Sequence, residues 1–196
     1  GTYKGITNFG NAYEGRLPNR FAVPGLEEYY GKDIFLTEAL TLEAIKALDK
    51  VKREDKPFFL YMAHYAVHVP LEKDMRFYEK YKAKGLPDND AAYAALVEGM
   101  DKSLGDLMDY LEKNGLAENT VILFMSDNGG LASEKYWRTP LYVQNAPLSS
   151  GKGSAREGGI REPMIVYWPQ VTVPGSECGN YLICLLYTSP SPRDCS

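Results

Sequence analysis

The chain has 196 residues, 44% of them hydrophobic and 24% charged, a globular composition that excludes a mostly disordered chain and allows one sizeable core. Its 22 basic and 26 acidic residues leave a net charge of −4, which argues against a surface built to neutralise nucleic-acid phosphates. The apolar run near the C-terminus, Tyr181 to Tyr187, is seven residues long against the ~20 that a spanning helix needs, so no membrane span is expected.

The chain opens Gly1-Thr2-Tyr3-Lys4-Gly5, without an initiator Met or a signal peptide, and reads as an internal piece. The three cysteines are Cys178, Cys184 and Cys195. None has zinc-ribbon spacing, and chemistry in the first 177 residues proceeds without a thiol.

Residues 1–32 are rich in Gly, Asn, Tyr and Pro and read as irregular. Leu36, Leu40, Ala44, Leu48 and Val51 recur at spacings of four and three, which predicts a helix from about Asp33 to Asp55. The run Pro57 to Ala63 is short, apolar and aromatic, and predicts a strand buried on both faces. Residues 72–83 predict a short helix. A longer one spans Asp88 to Asn114, with Asp88 or Asn89 as cap, Gly115 as terminator, and a core stripe of Leu96, Met100, Leu104, Leu107 and Leu111. Thr120 to Ser126 and Pro163 to Trp168 predict two further buried strands. Strands alternating with helices indicate an α/β domain with a largely parallel sheet. After Leu182 the periodicity breaks, and residues 183–196 read as a non-native, adaptor-derived or disordered tail without function.

The only histidines are His64 and His68. Their i, i+4 spacing invites a zinc-helix reading, but position 65 is Tyr where that motif needs Glu, and Pro70 biases Val69 to an extended conformation. Two histidines at the carboxyl end of a strand is the better reading, and a structural loop histidine the competing one. Asp127-Asn128-Gly129-Gly130 follows the second strand. Its carboxylate and amide oxygens suit Ca²⁺ or Mg²⁺, and an ordinary Asn-Gly turn is the alternative. Gly151-Lys152-Gly153 opens a glycine-rich loop without phosphate-loop spacing. A lysine held there can meet a sulfate or phosphate oxygen, and a flexible solvated loop is the alternative.

Taken in order, these segments resemble the sulfatase family, of the arylsulfatase type within the alkaline phosphatase superfamily. The matching stretches are Lys56 to Tyr61 through His68-Val69-Pro70-Leu71, then Val121 to Gly130, then Gly151-Lys152-Gly153 through Glu157-Gly158-Gly159-Ile160-Arg161-Glu162-Pro163. The resemblance covers roughly residues 30–170. It implies a partial sulfatase catalytic domain over 1–182, with 1–29 loosely matched, built as part of an alkaline-phosphatase-like α/β sandwich with a mostly parallel sheet flanked by helices.

The resemblance also implies roles. Asp127 and Asn128 match ligands of an active-site Ca²⁺, with Mg²⁺ as the other candidate. His68 matches the histidine that contacts the sulfate ester and helps protonate the leaving oxygen, and Lys152 the lysine that binds a sulfate oxygen. His64 matches a substrate-facing or supporting histidine. Glu157, Gly158, Gly159 and Arg161 match supports of the lysine loop. His68, Asp127, Asn128 and Lys152 are thus expected to surround one tetrahedral anion. The substrate implied is a small-molecule or carbohydrate sulfate ester, and the location periplasmic or secreted.

One departure bears on activity. The family makes its formylglycine nucleophile from a Cys/Ser-x-Pro/Ala-x-Arg motif, which occurs nowhere in the chain, and the early paired Asp ligands are also absent. The isolated chain is therefore expected to be inactive, with an incompletely covered sheet and poor solubility. The alternatives are a phosphoester or phosphonate hydrolase of the same superfamily, disfavoured because no His follows residue 128, and a non-catalytic binding protein that keeps the fold. Neither the specific ester, the specificity carried by Leu131 to Ser150, nor the oligomeric state is written in the sequence.

Overall fold

The computed structural model describes residues 23–30, 32–68, 71–131 and 145–179. The expectations for residues 1–22, for most of the 131–150 loop and for the 183–196 tail lie outside these.

The periodic segment forms α1, Leu36–Arg53, with Lys50, Lys52 and Arg53 in its last turn, where cations meet the negative end of the helix dipole. A short α2 covers Tyr78–Lys82. The long helix α3 runs Asp88–Lys113. Its cap differs from expectation: Pro87 occupies the N-cap position and no side chain caps it, because the extended residue before the helix is the proline and Asp88 already lies inside the first turn. Gly115 follows at φ +68°, the left-handed terminator that the sequence calls for.

These helices hold the core. Ala44 and Leu48 of α1 pack against Leu107 and Leu111 of α3, with Phe58, Met62 and Ile122 against the same cluster. Burying a leucine of this kind stabilises by about 1.5–3 kcal/mol. A second contact sets Tyr78 of α2 on Ala91, Ala92 and Ala95 of α3, where small side chains leave room for the ring. Between α1 and α3 the buried hydroxyls of Thr41 and Ser103 lie 2.6 Å apart.

The sheet departs further from expectation. Its described strands are β1, Ile122–Met125, and β2, Met164–Tyr167. They pair antiparallel, Ile122 opposite Tyr167 and Met125 opposite Met164, and not parallel. The connection explains the reversal. A parallel neighbour needs a crossover that returns the chain to the starting end. Here the four-residue α4, Glu157–Ile160, sits at the carboxyl end of β1, held by the Gly129 N–H on the Gly159 carbonyl, so β2 starts where β1 stops. Residues 56–65 form no strand. Phe58 and Met62 reach the core, but Phe59 is 93% and Tyr61 80% exposed, so this segment is not buried on both faces. Neither are the strands, since Leu123 is 61% and Ile165 64% exposed. No described helix is long and apolar enough to cross a membrane.

Candidate active site

The carboxyl end of β1 delivers Ser126 and the Asp127-Asn128-Gly129-Gly130 turn. The Ser126 hydroxyl donates to the Asn128 carbonyl at 2.8 Å, which curls the chain immediately after the strand. Asn128 Nδ2 donates to the Gly129 carbonyl at 3.0 Å, leaving Oδ1 as the amide's acceptor, the atom a hard cation takes. Asp127 is exposed.

The glycine-rich loop packs on this turn backbone to backbone. Gly129 N–H donates to the Gly159 carbonyl at 3.1 Å, Gly158 N–H to the Ser149 carbonyl at 2.9 Å, and Lys152 N–H to the Gly130 carbonyl at 2.9 Å. A Cβ on Gly129 would fall onto the Gly158 carbonyl, so only glycine allows this approach. Ser154 N–H closes a turn on the Gly151 carbonyl at 3.0 Å, with Gly153 at φ +84°. A positive φ at the third position is the type II pattern, and it sets Lys152 at the exposed corner. The asparagine side chain of Asn145 joins the seam, donating to the Gly130 carbonyl at 2.7 Å and the Ser150 carbonyl at 3.2 Å.

The profile of the sulfatase family matches residues 5–181. The chain belongs to the sulfatase family. It is 36% identical over 152 residues to a sulfatase of Formosa agariphila, covering 72% of this chain and 26% of that protein. It is 31% identical over 149 residues to mouse (Mus musculus) arylsulfatase J, covering 76% and 23%. Among solved structures, Ps i-CgsB in complex with k-i-k-neocarrahexaose superposes with a TM-score of 0.65 at 33% identity, covering 83% of this chain and 36% of that one. The sulfatase fold is alkaline-phosphatase-like α/β, and the described helices and strand pair form part of it. The chain spans about a quarter of the length of the curated relatives it matches.

The histidines of this sulfatase chain do not stand where a strand was expected. His64 follows the extended segment, and His68 ends a turn in which its N–H donates to the Tyr65 carbonyl at 2.9 Å. His68 is exposed. His64 is half-buried, its Nδ1 buried without a hydrogen-bond partner among the described residues. Burial holds its imidazole below the ordinary histidine range, so it is neutral at pH 7.

Glu162 is a residue the sequence reading passed over. Its Oε1 is buried with no hydrogen-bond partner among the described residues. Burial, and then the negative charge of Asp127, push its carboxyl above the usual range. Only its place in Arg161-Glu162-Pro163 could have signalled it, and nothing local says that the side chain turns inward. The donors near Asp127 are thus all hard oxygens, with an unsatisfied buried oxygen that a cation would relieve, and they fit Ca²⁺ or Mg²⁺. No three His, Cys, Asp or Glu side chains among the described residues converge to hold a metal by themselves.

Proposed function

We propose that this chain supplies the metal-and-lysine part of a sulfatase active site, in a protein that hydrolyses sulfate monoesters on carbohydrate. The observation that supports it most is the seam. It keeps the hard-oxygen donors of Asp127 and Asn128 and the ammonium-bearing Lys152 on two loops whose backbones bond directly, Lys152 N–H to the Gly130 carbonyl at 2.9 Å.

In this reading Asp127 and Asn128 hold Ca²⁺, or Mg²⁺ in its place. A divalent cation held there would supply positive charge to offset that of the sulfate oxygens. Lys152, exposed at its turn, binds another sulfate oxygen as a compact charge. His68 gives a proton to the leaving ester oxygen. His64, neutral and tucked in, orients the substrate side of the same segment without adding charge. A carbohydrate sulfate is favoured because the similar structure Ps i-CgsB carries a bound k-i-k-neocarrahexaose.

The 196 residues contain no Cys/Ser-x-Pro/Ala-x-Arg motif from which a formylglycine could be made, so the chain alone lacks a nucleophile. A fluorogenic aryl sulfate with added Ca²⁺ tests this: turnover no higher than that of Lys152→Ala is expected, and turnover well above it overturns the partial-site reading. Calorimetric titration with calcium chloride tests the metal role. Binding is expected in the unaltered chain and its loss in Asp127→Ala; equal binding in both points to a non-catalytic fold or a different site.

A further inference from the structure

Asn145 has no role in the chemistry described above, yet its side chain reaches both loops of the site. Nδ2 donates to the Gly130 carbonyl at 2.7 Å and to the Ser150 carbonyl at 3.2 Å. Gly130 lies two residues after Asn128, and Ser150 two before Lys152. The Gly130 carbonyl also takes the Lys152 N–H at 2.9 Å, so one oxygen is shared by the lysine backbone and the asparagine amide. Asn145 is itself fixed, because its own carbonyl accepts the Leu148 N–H at 2.7 Å.

We propose that Asn145 is a positioning residue that locks the Asp127-Asn128 turn to the Lys152 loop, so that cation and sulfate bind cooperatively. The inference rests on the reading of Asp127, Asn128 and Lys152 as cation and sulfate donors. A cation on one loop attracts an anion held by the other, and that attraction depends on a fixed separation. Two main-chain bonds already cross the gap, Gly129 N–H to the Gly159 carbonyl at 3.1 Å and Lys152 N–H to the Gly130 carbonyl at 2.9 Å. The Asn145 amide adds a side-chain bridge from Gly130 to Ser150, which ties the end of the turn to the start of the lysine loop and limits twisting about those two bonds. Coupling between two sites is a free energy carried by such shared structure, and each ligand must strengthen the other equally.

The test is calcium affinity of the 196-residue chain, measured by calorimetry with and without sodium sulfate. Sulfate is expected to tighten calcium binding about 10-fold, within the usual range of such couplings. In Asn145→Asp the amide nitrogen becomes a carboxylate oxygen facing two carbonyls, and the tightening falls to about twofold or less. The added negative charge leaves calcium affinity alone equal or higher, an outcome that general loss of structure cannot produce. Asn145→Ala, which adds no charge, shows the same loss of coupling and stands in if the Asp variant does not fold. Retention of the full tightening in either folded variant overturns the inference, as does independent binding of the two ions to the unaltered chain. Both results leave the site reading intact, whereas calcium binding unaffected by Asp127→Ala overturns the site reading and the inference with it.

Discussion

The backbone N–H of Lys152 donates to the carbonyl of Gly130 at 2.9 Å, across 22 residues of chain. A main-chain bond between the cation turn and the anion loop means that either can be displaced only by breaking the seam. The same seam needs Gly129 pressed against Gly158, which leads to the first prediction.

Gly129→Ala puts a methyl group onto the Gly158 carbonyl. Backbone must shift on one side, at about 1–3 kcal/mol. We expect lower stability in urea titration, faster amide exchange at Gly129 and Lys152, and loss of calcium binding. Unchanged exchange at those two amides would contradict the packing described.

Thr41 Oγ1 donates to the Thr37 carbonyl at 2.7 Å, since a carbonyl can only accept. Its single proton is thereby used, so Ser103 is the donor in the 2.6 Å contact between the two hydroxyls. Thr41→Val then strands a buried donor, at about 1–3 kcal/mol, whereas Ser103→Ala removes that donor and costs about 0.5–1.5 kcal/mol. Chemical denaturation of the two variants should rank them in that order, and the reverse ranking would reverse the donor assignment.

Asp74 is fully buried and gripped at both oxygens by Arg76, Nε to Oδ1 at 2.9 Å and Nη2 to Oδ2 at 2.6 Å. Arg76→Met leaves that carboxylate uncompensated and should cost about 3–5 kcal/mol. The double change with Asp74→Leu should recover much of the loss, which a double-mutant cycle in guanidinium chloride reads directly.

His64 makes stability depend on pH. Its folded pKa is held below the ordinary value by burial, so the unfolded chain takes up the proton first. Stability from this group is fully present above about pH 6.5 and falls as pH drops through that value toward the folded pKa. The melting temperature should fall between pH 7.5 and 5.5 more in the unaltered chain than in His64→Gln. Parallel profiles would mean that the imidazole is solvated in the folded state.

Leu123 pairs with Val166 and Ile165 with Phe124, so Leu123 and Ile165 stand on opposite faces of the strand pair, both largely exposed. These two and the exposed Phe59 and Tyr61 are large apolar side chains left to solvent, which favours association. The chain should bind a hydrophobic dye and sediment as more than a monomer at high concentration, and Leu123→Lys with Ile165→Lys should reduce both.

The helices were legible because their signal is local. Apolar residues at spacings of three and four mark α1 and α3, and Gly115 marks the end of α3, whatever the rest of the chain does. The candidate donors were legible too, as residue types at strand ends and in glycine loops that match a family pattern. Strand burial and pairing were not, because a run such as Ile122 to Met125 reads the same whether a partner covers it or not.

The sequence by itself determined the helices, the family, and the residue types offered to a cation and a sulfate. Only the tertiary structure decided that β1 and β2 run antiparallel, that Glu162 buries a carboxylate oxygen, and that Asn145 spans the two loops. The physical reason is range. Helix periodicity and turn chemistry act over a few residues, whereas strand partners, buried carboxylates and a shared carbonyl depend on segments that meet only after the chain has folded.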